Sequence, residues 1–178
     1  MINQHNLREY VNLHSYTDSV GWIGYYCRKG RFTPELKADS ISRFIEYFQS
    51  ISPEASVITS LYKYGKHEIS PLPDEENLMR TGLLRQFSDK ENINDTPVLY
   101  EDCGWNEIKL LSSIVMDNAG DIAGHCFIII NSLGLIAYTH DDTGFGFISI
   151  GSNGSAKDIV RKFLINLNPN QFQYEIAE

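Results

Sequence analysis

His125-Cys126-Phe127-Ile128-Ile129-Ile130-Asn131-Ser132-Leu133-Gly134-Leu135-Ile136-Ala137-Tyr138-Thr139 is the stretch that decides the fold. Two apolar runs rich in β-formers flank a short polar break, which reads as a hairpin over residues 125–130 and 133–139. Asn131 and Ser132 fill the turn, and Gly134 relaxes the backbone beside it. Asp141-Asp142-Thr143-Gly144 then supplies turn chemistry before a third run at 145–150. In that run Phe145 and Phe147 share a face with Ser149, while Ile148 and Ile150 take the other. Apolar residues on both faces predict a strand covered on both sides.

Helices are expected on either side of this strand-rich centre. Leu7, Tyr10, Val11 and His14 follow helical spacing and predict a helix over about 4–14. Residues 20–26, with Trp22, Tyr25 and Tyr26, read as a strand or a packed loop. Ile41, Phe44, Ile45 and Phe48 predict a second helix, capped by Asp39 or Ser40 and closed before Pro53. Residues 57–64 read as a strand. Residues 70–97 are irregular, with a short helix near 78–87, and 108–115 reads as a strand. Ser155 is placed to cap a final helix whose apolar face is Ile159, Val160, Phe163, Leu164 and Leu167. The expected fold is a single α+β domain over 1–178, a mainly antiparallel sheet with helices packed on it.

The chain has 178 residues, 42% of them hydrophobic, enough for one domain with a real core. A disordered tail and a disulfide miniprotein are thereby excluded. Three scattered cysteines, Cys27, Cys103 and Cys126, point to a reducing compartment. With no signal-peptide pattern and no apolar run of membrane-spanning length, a soluble cytoplasmic protein is expected. The net charge of −8 disfavours direct nucleic-acid binding, which draws on basic contacts to phosphate. The charge is uneven. Residues 1–89 hold 10 basic and 11 acidic side chains, whereas residues 90–150 hold 2 basic and 9 acidic. Such a segment is either a solvated surface or a docking face for a basic protein.

Catalytic motifs are sparse. The sequence has no P-loop and no Cys-x-x-Cys, and Gly144-Phe145-Gly146 lacks the third glycine and helix of a dinucleotide loop. His125 and Cys126 are adjacent on a strand and point to opposite faces, so they cannot act together as base and nucleophile. Cys126 is expected to be buried and structural. His140, Asp141 and Asp142 are chemically adequate metal ligands, but consecutive residues at a strand end fit a turn better. His67-Glu68 lacks the second histidine of a zinc-hydrolase helix. Tyrosines interleaved with basic residues, at 25–31 and 62–64, fit a packed aromatic layer in a chain of this charge.

Tyr64-Gly65-Lys66-His67-Glu68-Ile69, then Phe127-Ile128-Ile129-Ile130, then Tyr138-Thr139-His140-Asp141-Asp142-Thr143-Gly144 resembles small bacterial immunity proteins of toxin–immunity loci. The likeness covers about 57–150, and two positions depart from the pattern. His140 separates the tyrosine from the acidic pair, and Thr143 stands where a basic residue is usual. The resemblance implies a cytoplasmic, non-catalytic protein without cofactor or metal. Its partner would be one cognate toxin domain, often a basic nuclease of a contact-dependent growth-inhibition system. The expected partner-binding residues are Glu101, Asp102, Trp105, Asp117, Asp121, Asp141 and Asp142. The competing expectation is a small hydrolase or metal-dependent enzyme using His125, His140, Asp141 and Asp142.

Overall fold

The hairpin forms at the centre of the molecule. In the computed structural model, which describes residues 2–64, 73–87, 97–101, 103–117, 122–151 and 154–177, strand β7 is Cys126–Ile130 and β8 is Leu135–His140. The chain reverses between them through a 3₁₀ turn, Asn131–Leu133, and Gly134 in the left-handed region at φ +60°. The other strands are β1 (Trp22–Arg28), β2 (Ser56–Thr59), β3 (Tyr62–Tyr64), β4 (Arg85–Phe87), β5 (Val98–Tyr100), β6 (Ile122–Ala123), β9 (Gly144–Ser149) and β10 (Phe172–Ile176). The helices are α1 (Pro34–Ile51), α2 (Pro73–Arg80), α3 (Trp105–Met116) and α4 (Gly154–Ile165). Seven strands form one antiparallel sheet in the order β10-β1-β9-β8-β7-β2-β5, and β4-β3-β6 form a small second sheet in which β3 and β4 run parallel. The fold is α+β, with helices packed on the sheet.

The long helix starts earlier than its apolar spacing implies. Thr33 Oγ1 accepts the Leu36 N–H at 3.1 Å and Pro34 takes the first helical position, so Asp39 and Ser40 lie inside the helix rather than at its cap. Likewise α4 begins at Gly154, which puts Ser155 within its first turn. Residues 108–115 are helical, not a strand. The Glu107 carboxylate accepts the Gly104 N–H at 3.0 Å, and Ile108, Leu111, Ser112 and Met116 bury one helical face. The single strand expected over 57–64 is two, β2 and β3, and the helix expected near 78–87 ends at Arg80 before β4. At the N-terminus the helix over 4–14 is replaced by one 3₁₀ turn, Leu7–Glu9, and a second, Tyr16–Asp18, follows beyond it. Asn3 Oδ1 accepts from the N–H of His5 and Asn6 and Asn6 Oδ1 from Asn3, which caps the first turn, while Asn12 Oδ1 takes the His14 N–H that a helix continued to 14 would pair along its own backbone.

The centre of the sheet is buried on both faces, by different means. On one face Phe44 stacks on Phe145 with ring centroids 3.9 Å apart, and Phe163 packs against Tyr26, Tyr47, Phe48 and Phe147. On the other face residues 2–19 lie across the sheet, and Ile2, Leu7 and Val11 bury against Ile58, Phe127, Ile129, Ile136, Tyr138 and Ile148. Phe145 and Phe147 belong to the helix side and Ile148 to the other, as their alternation predicts. Among the described residues no helix is long and apolar enough to cross a membrane.

Candidate partner-binding face

Strand direction decides which acidic residues can meet. β8 ends at His140 and β9 begins at Gly144, so the Asp141-Asp142-Thr143 turn closes one end of the sheet. The antiparallel pairing carries the end of β1 and the start of β10 to that same end. Asp117, the C-cap of α3, joins it through Lys37 near the start of α1, whose Nζ reaches the Asp117 carboxylate at 2.5 Å. Glu101 follows the last residue of β5 and lies at the opposite end, beside the β7–β8 turn. Asp102 and Asp121 lie outside the described residues, as do His67 and Glu68. The acids expected to form one face are therefore split between two ends of the sheet.

Trp105 does not serve as an exposed anchor. Its ring is 7% exposed, packs 6.2 Å from Phe44, and its indole N–H donates to the Pro53 carbonyl at 3.0 Å. An indole in that position holds α3 to the core and presents little surface to a partner.

The acids of the turn are partly compensated by bases from a distant part of the chain. Arg28 Nη2 donates to Asp142 Oδ1 at 3.3 Å, and the Arg28 backbone N–H donates to the Asp142 carbonyl. Lys29 and Arg31 follow in the same loop. Asp141 is more open, with a side chain 76% exposed. Its Oδ1 lies 3.3 Å from Nδ1 of His140, and that nitrogen accepts the Asp142 N–H at 3.1 Å. While Nδ1 acts as that acceptor it carries no proton, so the Asp141 contact becomes an ion pair only on an imidazolium. His140, Asp141 and Asp142 place one ligand atom each within 4.8 Å of one another and could hold a cation, but the amide of Asp142 and the guanidinium of Arg28 already occupy two of the three groups. Thr143, buried at φ +62°, closes the turn in a conformation that β-branched residues rarely adopt.

Beside this turn the outer face of the sheet is more open: Trp22 still packs on the cluster that residues 2–19 cover, but Tyr25 is half-buried and Gln173 and Glu175 are exposed. Pairing places Glu175 opposite Tyr25 and Tyr25 opposite Gly146, which leads on to Tyr138. Gly146 is required there: a Cβ would lie 1.9 Å from the Tyr138 ring, which rests over that glycine. Tyr25 stacks on His140 at 5.7 Å and tilts against Trp22 at 6.4 Å. The Trp22 indole donates to the Tyr138 hydroxyl at 3.3 Å. Partial burial raises the Tyr25 pKa, reinforced by the negative forms of Cys27, Glu175 and Asp142 nearby. The result is a shelf of half-buried aromatic rings flanked by Asp141, Asp142 and Glu175. In the sequence Tyr25 reads only as part of a packed aromatic layer and Glu175 carries no signal, since the β1–β10 pairing that joins them spans most of the chain.

Of the alternative catalytic set, His125 stands apart from His140, Asp141 and Asp142. His125 Nδ1 is held 2.5 Å from the Tyr16 hydroxyl and the ring borders a cavity of about 500 Å3 with Arg8, His14 and Asp18, but His140, Asp141 and Asp142 do not line it. Cys126 is 6% exposed, and burial, then Cys103, pushes its pKa up to about 12, which disfavours the thiolate a nucleophile needs. No protein-family model, curated protein or solved structure matches the chain.

Proposed function

We propose that the chain is a non-catalytic binding protein of the immunity type, acting in the cytoplasm on one cognate and basic toxin domain. The observation that carries the reading is the open shelf of Trp22, Tyr25 and His140 flanked by Asp141, Asp142 and Glu175. Half-buried aromatic rings supply contact area at small entropic cost, and the carboxylates beside them attract Lys and Arg. Arg over the Tyr25 ring would add a cation–π contribution. A nuclease must display such cations to bind nucleic acid, so a protein seated on them competes with its substrate. Docking is drawn toward Asp141 and Glu175, because Arg28 already engages Asp142. Tyr25 takes the anchoring role that the sequence assigned to Trp105.

The experiment is binding of the purified chain to the toxin domain encoded by the adjacent gene, with Tyr25→Ala as the variant. Tight binding that Tyr25→Ala weakens by about thirtyfold or more supports the reading, the loss expected of an interface hot spot. A chain that binds no such domain but turns over a small-molecule substrate overturns it.

A further inference from the structure

The two edges of the seven-stranded sheet are finished differently. At β5 the strand is three residues long, and the side chain of Gln4 accepts the Leu99 N–H at 2.9 Å, which closes that edge. β10 has five residues and, among the described residues, pairs only with β1. Ala177 N–H donates to Ile23 O at 2.8 Å and Lys29 N–H to Gln171 O at 2.7 Å, which fixes the hydrogen-bonded register of that pair. By antiparallel alternation Gln173 and Glu175 turn their backbone groups toward β1, while Tyr174 and Ile176 turn theirs outward. Among the described residues no backbone hydrogen bond reaches those outward groups of Tyr174 and Ile176. Gln173, Tyr174 and Glu175 are all exposed, Tyr174 at 45%. The edge lacks several of the usual protections: Phe172-Gln173-Tyr174-Glu175-Ile176 contains no proline or lysine, its register with β1 runs without a bulge, and Glu175 is its single charge.

We propose that the outer edge of β10 receives an extended segment of the protein partner as an eighth strand, and that this segment alternates basic and apolar side chains. The inference rests on the partner-binding reading above and names how the partner engages. Main-chain bonds to Tyr174 and Ile176 would hold the segment, and alternate side chains would read the two faces. Those falling beside Gln173 and Glu175 share the face of Tyr25 and His140, where charge complementarity selects Lys or Arg. Those falling beside Tyr174 and Ile176 share the helix face and meet apolar surface. A second copy of this chain is disfavoured as occupant by its own net charge of −8.

The probe is a short capped peptide alternating Lys and Val, with a Glu/Val peptide of equal length as control. The readouts are peptide affinity and amide hydrogen exchange of the intact protein. The proposal expects the Lys/Val peptide to slow exchange at Tyr174 and Ile176, and the Glu/Val peptide to leave both unchanged. Tyr174→Pro removes one outward donor and leaves the β1 ladder intact, so it should keep the fold and weaken the peptide by about fivefold or more. Three results overturn the proposal. One is an undiminished affinity in Tyr174→Pro. Another is protection by the Glu/Val peptide equal to that by Lys/Val. The third is self-association of the free protein that Tyr174→Pro abolishes, which would make a second copy the occupant. If Lys/Val binding is lost in Asp141→Asn with Asp142→Asn but not in Tyr174→Pro, the strand addition fails while the cationic-partner reading stands.

Discussion

The outer face of the sheet has two halves that share one backbone geometry and differ in almost everything else. Over β7, β8 and β2, residues 2–19 cover it, and Ile58, Phe127, Ile129 and Ile136 are each no more than 1% exposed. Over β1 and β10 the same pleat carries Trp22 and Tyr25, half-buried, and Gln173 and Glu175, exposed. One half spends its side chains on stability. The other keeps rings and carboxylates at the surface, where burial by the chain itself would leave polar groups unsatisfied. The difference separates residues whose loss unfolds the protein from residues whose loss only disarms it.

That division breaks first at Phe127. Truncation to alanine in the covered half should cost roughly 3–5 kcal/mol, measured by denaturant unfolding, and Phe163→Ala on the helix side should cost a similar amount. A loss within about 0.5 kcal/mol would place either ring at the surface. Tyr25→Ala, in the open half, should shift stability by under about 1 kcal/mol while abolishing most partner affinity. An equal stability cost at Tyr25 and Phe127 would erase the distinction between the halves.

Alkaline titration sharpens the picture of the buried side. Burial raises the Cys103 and Cys126 pKa from 9.0 to about 12 in the fold. Below pH 9 both thiols are protonated in folded and unfolded chains alike, so this stabilisation is fully present there. Above pH 9 the unfolded thiols ionise while the folded ones resist, so stability falls as pH rises toward 12. Replacing both with alanine should make that decline shallower in urea melts at pH 8, 9 and 10. A slope unchanged by the double substitution would show that the thiols ionise equally in both states. The smallest effect belongs to Asp117→Asn. It loosens an ion pair whose aspartate is half exposed and should cost no more than about 1 kcal/mol in the same melts; a cost above 2 kcal/mol would mark a buried, cooperative pair.

The hairpin and the strand after it were legible because their apolar runs are long, β-branched and bounded by turn residues. The segment 108–115 was not, since Leu110-Leu111 and Ile114-Val115 look equally apolar at either period. The discriminating signal was Glu107 three residues after Gly104, a helix-start pattern. Leu7 and Val11, set on one helix face by their spacing, are buried, but the turn that carries them does not run on to 14, where Asn12 takes the His14 N–H. The candidate site was the least legible part. Counting acids over 90–150 could not reveal that Arg28 and Lys37 fold back onto Asp142 and Asp117, or that Glu101 leaves for the other end of the sheet. Nor did the sequence mark residues 172–176 as a strand, and without β10 there is no neighbour to bring Glu175 beside Tyr25.

The most direct measurement is the affinity of the adjacent-gene toxin domain for the chain carrying Asp141→Lys and Asp142→Lys together, at low and high salt. A cationic partner on the open half predicts weaker binding, a reduced association rate and a flattened salt dependence, with the melting temperature nearly unchanged. Affinity and salt dependence identical to those of the unaltered chain would contradict the placement of the partner on this face.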